Sequence, residues 1–429
     1  EAARAVSRAG GAKGALFGAV DALAELAAAH APTRFVGHEA DVAEATVVGL
    51  VTEAGAVEAV REGEAVQLLL DVTPCYAEGG GQVGDAGKVT WPGPGAAVVH
   101  DTVKGPQGLV VHRAQVARGT LRVGAAVRVE VDPARRETRK HHTATHLLHA
   151  ALRRVVGDHV AQAGSLVAPD RLRFDVSHGA AIAPAQLREV EALVNAWVQA
   201  DLSVHARVVP IDEARAAGAM MLFGEKYGAE VRMVCVGGAP GATDTGASGP
   251  ARTAPEPPAV SIELCGGTHV ARTGEIGPVL VTVEEAASAG VRRIEALAGR
   301  AAVAHAQSLR DALAAAGRAL GAKPDELEVR IGRLQAELKA AQREAAHLRD
   351  KLAAAQAGSA REVETIGGLA VARMGLEGLD AAALRNAADT LMQRSQADVV
   401  VVGSGTLLVV KASEGARARG VQAGRVVKA

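Results

Sequence analysis

Two short motifs far apart in the chain, His142-Thr143-Ala144-Thr145-His146 and Cys265-Gly266-Gly267-Thr268-His269, set the strongest limit on how it can fold. Histidines four residues apart on a helix share one face, so both imidazoles can reach a single metal ion. Cys thiolate and His are good zinc ligands, and two intervening glycines permit the tight backbone path that turns both inward. Each pair alone has a plainer reading: a histidine pair can cap or pack, and a cysteine can be buried beside a surface histidine. Together His142, His146, Cys265 and His269 make a set that zinc accepts readily. Glu263 and Thr268 stand close enough in sequence to partner the ligands. The first motif is not that of the metalloproteases, because Thr143 and Ala144 occupy the positions where a catalytic Glu is required.

The rest of the composition narrows the class. A chain of 429 residues holds two to four domains, each with its own core. No apolar run approaches the roughly 20 residues needed to cross a bilayer, so no membrane partner is expected. Three cysteines are too few for a disulfide framework and fit a reducing, cytoplasmic setting. The start, Glu1-Ala2-Ala3-Arg4, has neither an initiator Met nor a signal-peptide layout and reads as a chain cut from something larger. A net charge of −1 argues against a uniformly basic nucleic-acid binder. From Arg113 to Arg173, however, twelve Lys/Arg face five acids, a local excess of +7. Such a stretch could meet a phosphate backbone, or be a solvated face with acids packed nearby in space.

Along the chain the pattern is α+β. Residues 1–32 are Ala-rich with helical spacing and read as the helical tail of a preceding domain. Residues 33–135 carry short β runs punctuated by Gly and Pro, at 45–51, 65–71, 96–100, 108–112 and 126–131, which predict a small β-barrel. Residues 136–299 mix helices near 139–156 and 184–200 with strands at 172–176, 204–210, 231–236 and 261–264, an α+β core. Within it, 237–260 has no periodicity and reads as a disordered insertion. Residues 300–358 predict a helical hairpin or coiled-coil arm, since apolar residues recur at 327, 331, 334, 338, 341, 345, 348 and 352. Residues 359–429 predict a small α/β domain with strands at 398–402 and 407–411, a turn at Gly403-Ser404-Gly405 and a helix-like end from Gly420.

Further motifs carry a resemblance. His142-Thr-Ala-Thr-His-Leu-Leu-His-Ala-Ala-Leu152 and Cys265-Gly-Gly-Thr-His269 resemble the paired zinc motifs of the editing domain in the alanyl-tRNA synthetase family. So do Thr73-Pro-Cys-Tyr-Ala-Glu-Gly-Gly-Gly-Gln-Val-Gly-Asp85, Gly164-Ser-Leu-Val167, Arg171-Leu-Arg-Phe-Asp175, Leu222-Phe-Gly-Glu-Lys-Tyr-Gly228 and Gly290-Val-Arg-Arg-Ile-Glu-Ala296. Their order and spacing match from about residue 33 to 299, and the arm and final segment resemble the family's C-terminal tRNA-binding domain. Cys75 stands where an aromatic residue is usual, and His141 where Asn is usual.

The resemblance implies a zinc-dependent aminoacyl-tRNA hydrolase acting on Ser-tRNA(Ala) and Gly-tRNA(Ala), with Thr145, Gln162 and Ser165 lining the substrate pocket. It implies tRNA(Ala) as partner and a homodimer through the C-terminal region. The parent enzyme would be an ATP-dependent alanine-tRNA ligase whose aminoacylation domain is not in this chain. The alternatives are a freestanding editing deacylase and a non-catalytic tRNA-binding module with structural zinc. A phosphoesterase-related protein needs an Asp-His-His cluster, which the chain lacks. Four protein ligands close a tetrahedral zinc, whereas catalytic zinc keeps an open position. Either one ligand is loose, or the site expands with substrate, or zinc only positions the ester.

Overall fold

The structure, a computed structural model, describes residues 12–221, 227–238, 258–359 and 363–426. The sequence reading of 237–260 and the motif at 222–228 fall mostly outside these residues. Contacts divide the chain into two units, Glu1–Ser308 and Leu309–Ala429, with the division inside a helix.

In the first unit, helix α1 (Ala12–Ala29) precedes six strands: β1 (Val42–Thr52), β2 (Ala65–Leu70), β3 (Gly87–Trp91), β4 (Gly95–Lys104), β5 (Val110–Arg118) and β6 (Ala126–Val131). They pair antiparallel in the order β6-β3-β4-β5-β2-β1, and β6 also pairs with β1, which closes the barrel. The side-chain alternation dictates this closure. In β6, Val127, Val129 and Val131 are buried while Arg128 and Glu130 face out. Val47, Leu50, Leu68, Leu70, Val89, Val99 and Val116 meet them inside. The run at 87–91 was not expected from sequence, since Gly87 and Trp91 bracket only three residues of strand pattern. Closure needs it, because β3 joins β6 to β4. Cys75 is fully buried in this core. Leu23 and Leu26 of α1 pack outside the barrel, next to Leu69 and Val51.

The barrel is pinned to the element that follows it. Helix α2 (Arg135–Val155) starts four residues earlier than its apolar pattern suggests, and Asp132 leads into it with an Asx turn, accepting from the Ala134 amide at 2.8 Å. Arg135 is 3 % exposed, donates to the Pro74 carbonyl at 2.9 Å and pairs with Asp85 at 3.0 Å. Burial pushes the Asp85 carboxyl up to about 6, and Arg135 offsets part of that. Strands β7 (Gln162–Val167) and β8 (Leu172–Ser177) and helix α3 (Pro184–Gln199) follow. Next come β9 (Val204–Pro210), β10 (Glu230–Val236) and β11 (Ser261–Leu264), one antiparallel three-stranded sheet. Strands β12 (Val279–Ser288) and β13 (Val291–Ala298) complete a second sheet in the order β7-β8-β13-β12. Leu147, Leu148 and Leu152 of α2, Val190 and Val194 of α3, Phe174 and Ile294 form the core between them.

Helix α4 (Gly299–Leu320), which holds the division between the units, ends at Gly321, whose φ of 60° suits glycine. Pro324 opens a 3-10 turn into helix α5 (Leu327–Ser359). Both helices are present, but the heptad side chains do not form a buried seam. Ile331, Leu338, Leu348 and Leu352 are exposed, and only Leu327 is buried. Strands β14 (Val363–Ile366) and β15 (Leu369–Gly375), helix α6 (Ala381–Ser395), β16 (Val399–Ser404) and β17 (Leu407–Ala412) make a small α/β sheet with β15 and β16 parallel. Asp380 caps α6 by accepting from the Ala382 and Ala383 amides. The hairpin turns at Gly405, so Gly403 and Ser404 remain in strand, and the terminal helix among the described residues is only Ala423–Val426.

Phe174 is fully buried between α2 and the sheet. Phe174→Ala is expected to cost about 3–5 kcal/mol, from lost burial plus the cavity left behind. Urea unfolding of the chain measures this, and a loss under ~1 kcal/mol would show that Phe174 is not part of a close-packed core.

Candidate metal centre and its cavity

Helix α2 stacks the His142 and His146 rings one turn apart, 5.4 Å between centroids and 10° from parallel. Cys265 follows directly on β11, so the edge of the three-stranded sheet delivers the second pair to this helix face. The Cys265–His269 loop can approach because residue 267 is glycine. A Cβ there would lie 2.0 Å from His142 Cε1 and 2.4 Å from its Nδ1. Arg232 holds the loop in place, donating to the carbonyls of Cys265 at 2.7 Å and Gly267 at 3.0 Å.

The four ligand atoms lie within 4.8 Å of one another. Cys265 Sγ is 3.3 Å from His142 Nε2 and 3.4 Å from His269 Nε2. Tetrahedral zinc with its usual bond lengths separates its ligand atoms by roughly 3.3–3.6 Å, so the spacing fits. Each histidine turns Nε2 inward and uses Nδ1 on an outer partner. His142 Nδ1 donates to Gln82 Oε1 at 2.8 Å, His146 Nδ1 meets Glu263 Oε2 at 2.8 Å, and His269 Nδ1 meets Thr143 Oγ1 at 3.2 Å. The Thr143 hydroxyl donates to the Arg139 carbonyl, which leaves its oxygen free to accept. Such outer partners fix the tautomer and aim the ligand. The buried Nε2 of His146 has no hydrogen-bond partner, as expected of an atom reserved for a metal.

The charges suit a metal at Cys265 and His269 and oppose it at His146 until a proton leaves. Burial alone would raise the Cys265 thiol, but His142 and His269 outweigh it and hold it well below its usual range. Burial and His142 push His269 down to about 3, so it stays neutral. Burial opposes charge on His146 too, yet Glu263 raises it to about 10.

Of the partners expected from sequence, Glu263 holds His146 directly. Thr268 acts one bond further out, through Gln82, which accepts from the Thr268 amide at 2.9 Å and donates to its hydroxyl at 3.0 Å. Gln82 and Thr143 were not anticipated as ligand partners. Gln82 lies in the barrel-side segment Thr73–Asp85, and nothing in its spacing points to His142. His141, beside the first ligand, ties α2 to β13 instead: its Nδ1 donates to the Glu137 carbonyl and its Nε2 accepts from the Ala298 amide.

A cavity of about 190 Å³ opens beside the cluster, and Thr145, Gln162 and Ser165 stand in its wall with His142, His146 and Cys265. Thr145 spends its hydroxyl proton on the His141 carbonyl at 2.8 Å, so its oxygen is left only to accept. His149 and Met220 also line it. The basic stretch from Arg113 to Arg173 is mostly paired. Eight of its twelve cations meet acids, several of them outside the stretch, such as Asp41, Glu44, Asp85 and Asp101. Of the two readings of that excess, the structure favours the solvated face with acids nearby in space.

The purified chain is expected to carry about one zinc, and Cys265→Ala to lose most of it. Full occupancy in a His142→Ala/His146→Ala double mutant would exclude the cluster as the site. Binding should also release a proton, because Glu263 keeps His146 protonated up to about pH 10 without metal and a ligand must be neutral. Affinity therefore falls as pH falls below 10, about tenfold per unit for one proton. Calorimetry in buffers of different ionisation enthalpy reads this directly, and no proton release would contradict the His146 assignment.

Comparisons with known proteins agree with the site. Residues 1–135 match the family described as "tRNA synthetases class II (A)", and residues 231–295 the "Threonyl and Alanyl tRNA synthetase second additional domain". An alanine--tRNA ligase of Thermus thermophilus is 48 % identical over 409 residues, 95 % of this chain and 44 % of that protein. One of Deinococcus radiodurans is 46 % identical over 431 residues, 100 % of this chain and 46 % of its own length. One of Ruegeria sp. is 43 % identical over 389 residues, 90 % and 42 % respectively. The chain thus spans less than half the length of these relatives. With the second additional domain falling on the Cys265 half of the metal cluster, the chain belongs to the alanyl-tRNA synthetase family.

Proposed function

We propose that this chain carries the editing function of an alanine-tRNA ligase, hydrolysing the ester of Ser-tRNA(Ala) and Gly-tRNA(Ala) in the cavity beside the metal cluster. The observation that carries the reading is one small cavity walled both by the cluster and by Thr145, Gln162 and Ser165. The need for such a site follows from pocket energetics. A pocket sized for alanine discriminates against an analogue with an added hydroxyl by only about 10²-fold. A second site that hydrogen-bonds the hydroxyl removes the product that slips through.

His142, His146, Cys265 and His269 would hold zinc, which when bound supplies a Lewis acid for the ester carbonyl or a fixed point to orient it. Gln82, Glu263 and Thr143 keep the ligands aimed. Thr145 sits one residue before His146 in the same cavity wall, where its acceptor oxygen would meet the serine hydroxyl, not the ester, whose oxygens only accept. Gln162 and Ser165, from β7, close the far side as further polar contacts. The same reading gives residues 300–429 the tRNA-binding role and takes the C-terminal region as the contact with a second copy. One observation favours a second reading, a tRNA-binding module with structural zinc: four protein ligands leave the metal no open position.

Hydrolysis rates separate the two. Ser-tRNA(Ala) is expected to be cleaved, Gly-tRNA(Ala) more slowly, and Ala-tRNA(Ala) spared, since alanine leaves the polar wall unpaired at about 1–3 kcal/mol per group. Thr145→Phe should abolish serine cleavage with zinc still bound. A wild-type Ser/Ala ratio near one would remove the editing reading, and tRNA retardation without any cleavage would favour the binding module. Truncation at about Arg300 should weaken tRNA binding while the remaining chain still cleaves at high concentration. Unchanged affinity would assign the second unit another role.

A further inference from the structure

Helix α2 presents a third histidine on the stripe that carries His142 and His146, and it is not a metal ligand. His149 lies outside the four-residue cluster, is only 5 % exposed and stands in the cavity wall with Thr145, Gln162 and Ser165. Its ring rests 5.1 Å from that of Phe174, a core residue, so it has little freedom to turn. Its Nδ1 is 3.2 Å from Glu263 Oε1, and its Nε2 is buried with no hydrogen-bond partner. Buried polar atoms in folded proteins are nearly always paired, so an orphan in a cavity wall points to a ligand.

Glu263 decides what His149 can offer. The carboxylate divides its oxygens, Oε2 to His146 Nδ1 and Oε1 to His149 Nδ1, and Oε1 also accepts from the Ser261 hydroxyl at 3.0 Å. A carboxylate only accepts, so the proton between Glu263 and His149 sits on Nδ1. In the neutral ring that leaves Nε2 with a lone pair facing a donor. An aminoacyl ester brings two donors to such a place: its α-ammonium group and, in the seryl ester, its side-chain hydroxyl.

We propose that His149 Nε2 accepts a hydrogen bond from the aminoacyl group of the bound ester, making His149 a substrate-binding residue of the cavity. The assignment rests on the editing reading. It explains why Glu263 is shared between a ligand and a non-ligand: one carboxylate sets the tautomer of both. His146 is thereby turned to the metal and His149 to the substrate.

The test uses the full zinc-loaded chain and four non-hydrolysable amide-linked adenosine analogues: seryl, glycyl, alanyl and the propionyl counterpart, which lacks the amino group and any other side-chain donor. His149→Asn keeps an amide donor near the Nδ1 position for Glu263 but removes the acceptor at Nε2. His149→Gln restores a polar atom near Nε2. Zinc content is measured in both, with calorimetric affinity and kcat/KM on Ser-tRNA. In His149→Asn, seryl affinity should fall about tenfold or more with zinc retained, and His149→Gln should recover part of it. If the α-ammonium is the donor, seryl, glycyl and alanyl analogues weaken together and the propionyl analogue is spared. If the hydroxyl is the donor, only the seryl analogue weakens. Wild-type affinity for all four analogues in His149→Asn overturns the proposal alone. Zinc loss in both variants also overturns it, by making His149 a support for the ligand shell. A wild-type chain that holds zinc yet neither binds the seryl analogue nor cleaves Ser-tRNA removes the editing reading, and this proposal with it.

Discussion

The side chain of Gln82 is the joint on which the site depends. It is fully buried, it comes from the barrel side, and its single carbonyl oxygen accepts from both His142 and the Thr268 amide. One carboxamide thus ties three parts of the chain: the Thr73–Asp85 segment, helix α2 and the loop after β11. A carboxamide has a donor end as well, and the Thr268 hydroxyl takes it, so little of its hydrogen-bonding capacity is left over. The absence of a side chain at Gly267 lets the loop come this close. The Arg135–Asp85 pair holds the same two bodies together one step away.

Around that joint, polar groups are buried in quantity, and most of their atoms are answered. His141, His142, Thr143, Thr145, His146, His149, Glu263 and Thr268 are all under a tenth exposed. Isolated, such groups would cost folding free energy. Here they satisfy one another in a network whose remaining loose ends, the Nε2 atoms of His146 and His149, lie beside the cavity. A network that closes everywhere except at a cavity concentrates its unmet bonding where a metal and a substrate can meet it.

The electrostatics of the wider molecule follow a different logic. Counting charges along the sequence suggests a basic face between Arg113 and Arg173, yet strands and turns from elsewhere bring Asp41, Glu44, Asp85 and Asp101 against it. Two of those arginines, Arg135 and Arg139, fasten α2 to the barrel side through Asp41 and Asp85. The heptad residues of α5 show the converse. A periodic stripe is visible in the sequence, but within this chain it stays exposed at Ile331, Leu338, Leu348 and Leu352.

Local chemistry was readable from the sequence because it is written at short range. The i, i+4 histidines, the strand at Val204–Pro210, the strand at Ser261–Leu264 and the helix near Pro184 all declare themselves by period and by flanking Pro or Gly. The four candidate ligands could be named for the same reason, since residue type and spacing within each motif are local properties. The short strand Gly87–Trp91 escaped because its pattern is too brief, and its place is fixed by two neighbours far away in sequence. Gln82, the division of Glu263 between two histidines, and the orphan nitrogen of His149 were equally invisible, for they exist only once β11, α2 and the barrel side come together. The sequence by itself determined which side chains could bind a metal. Only the tertiary structure decided which nitrogen of each histidine faces it, because the proton on a ring is set by a partner that no local pattern names.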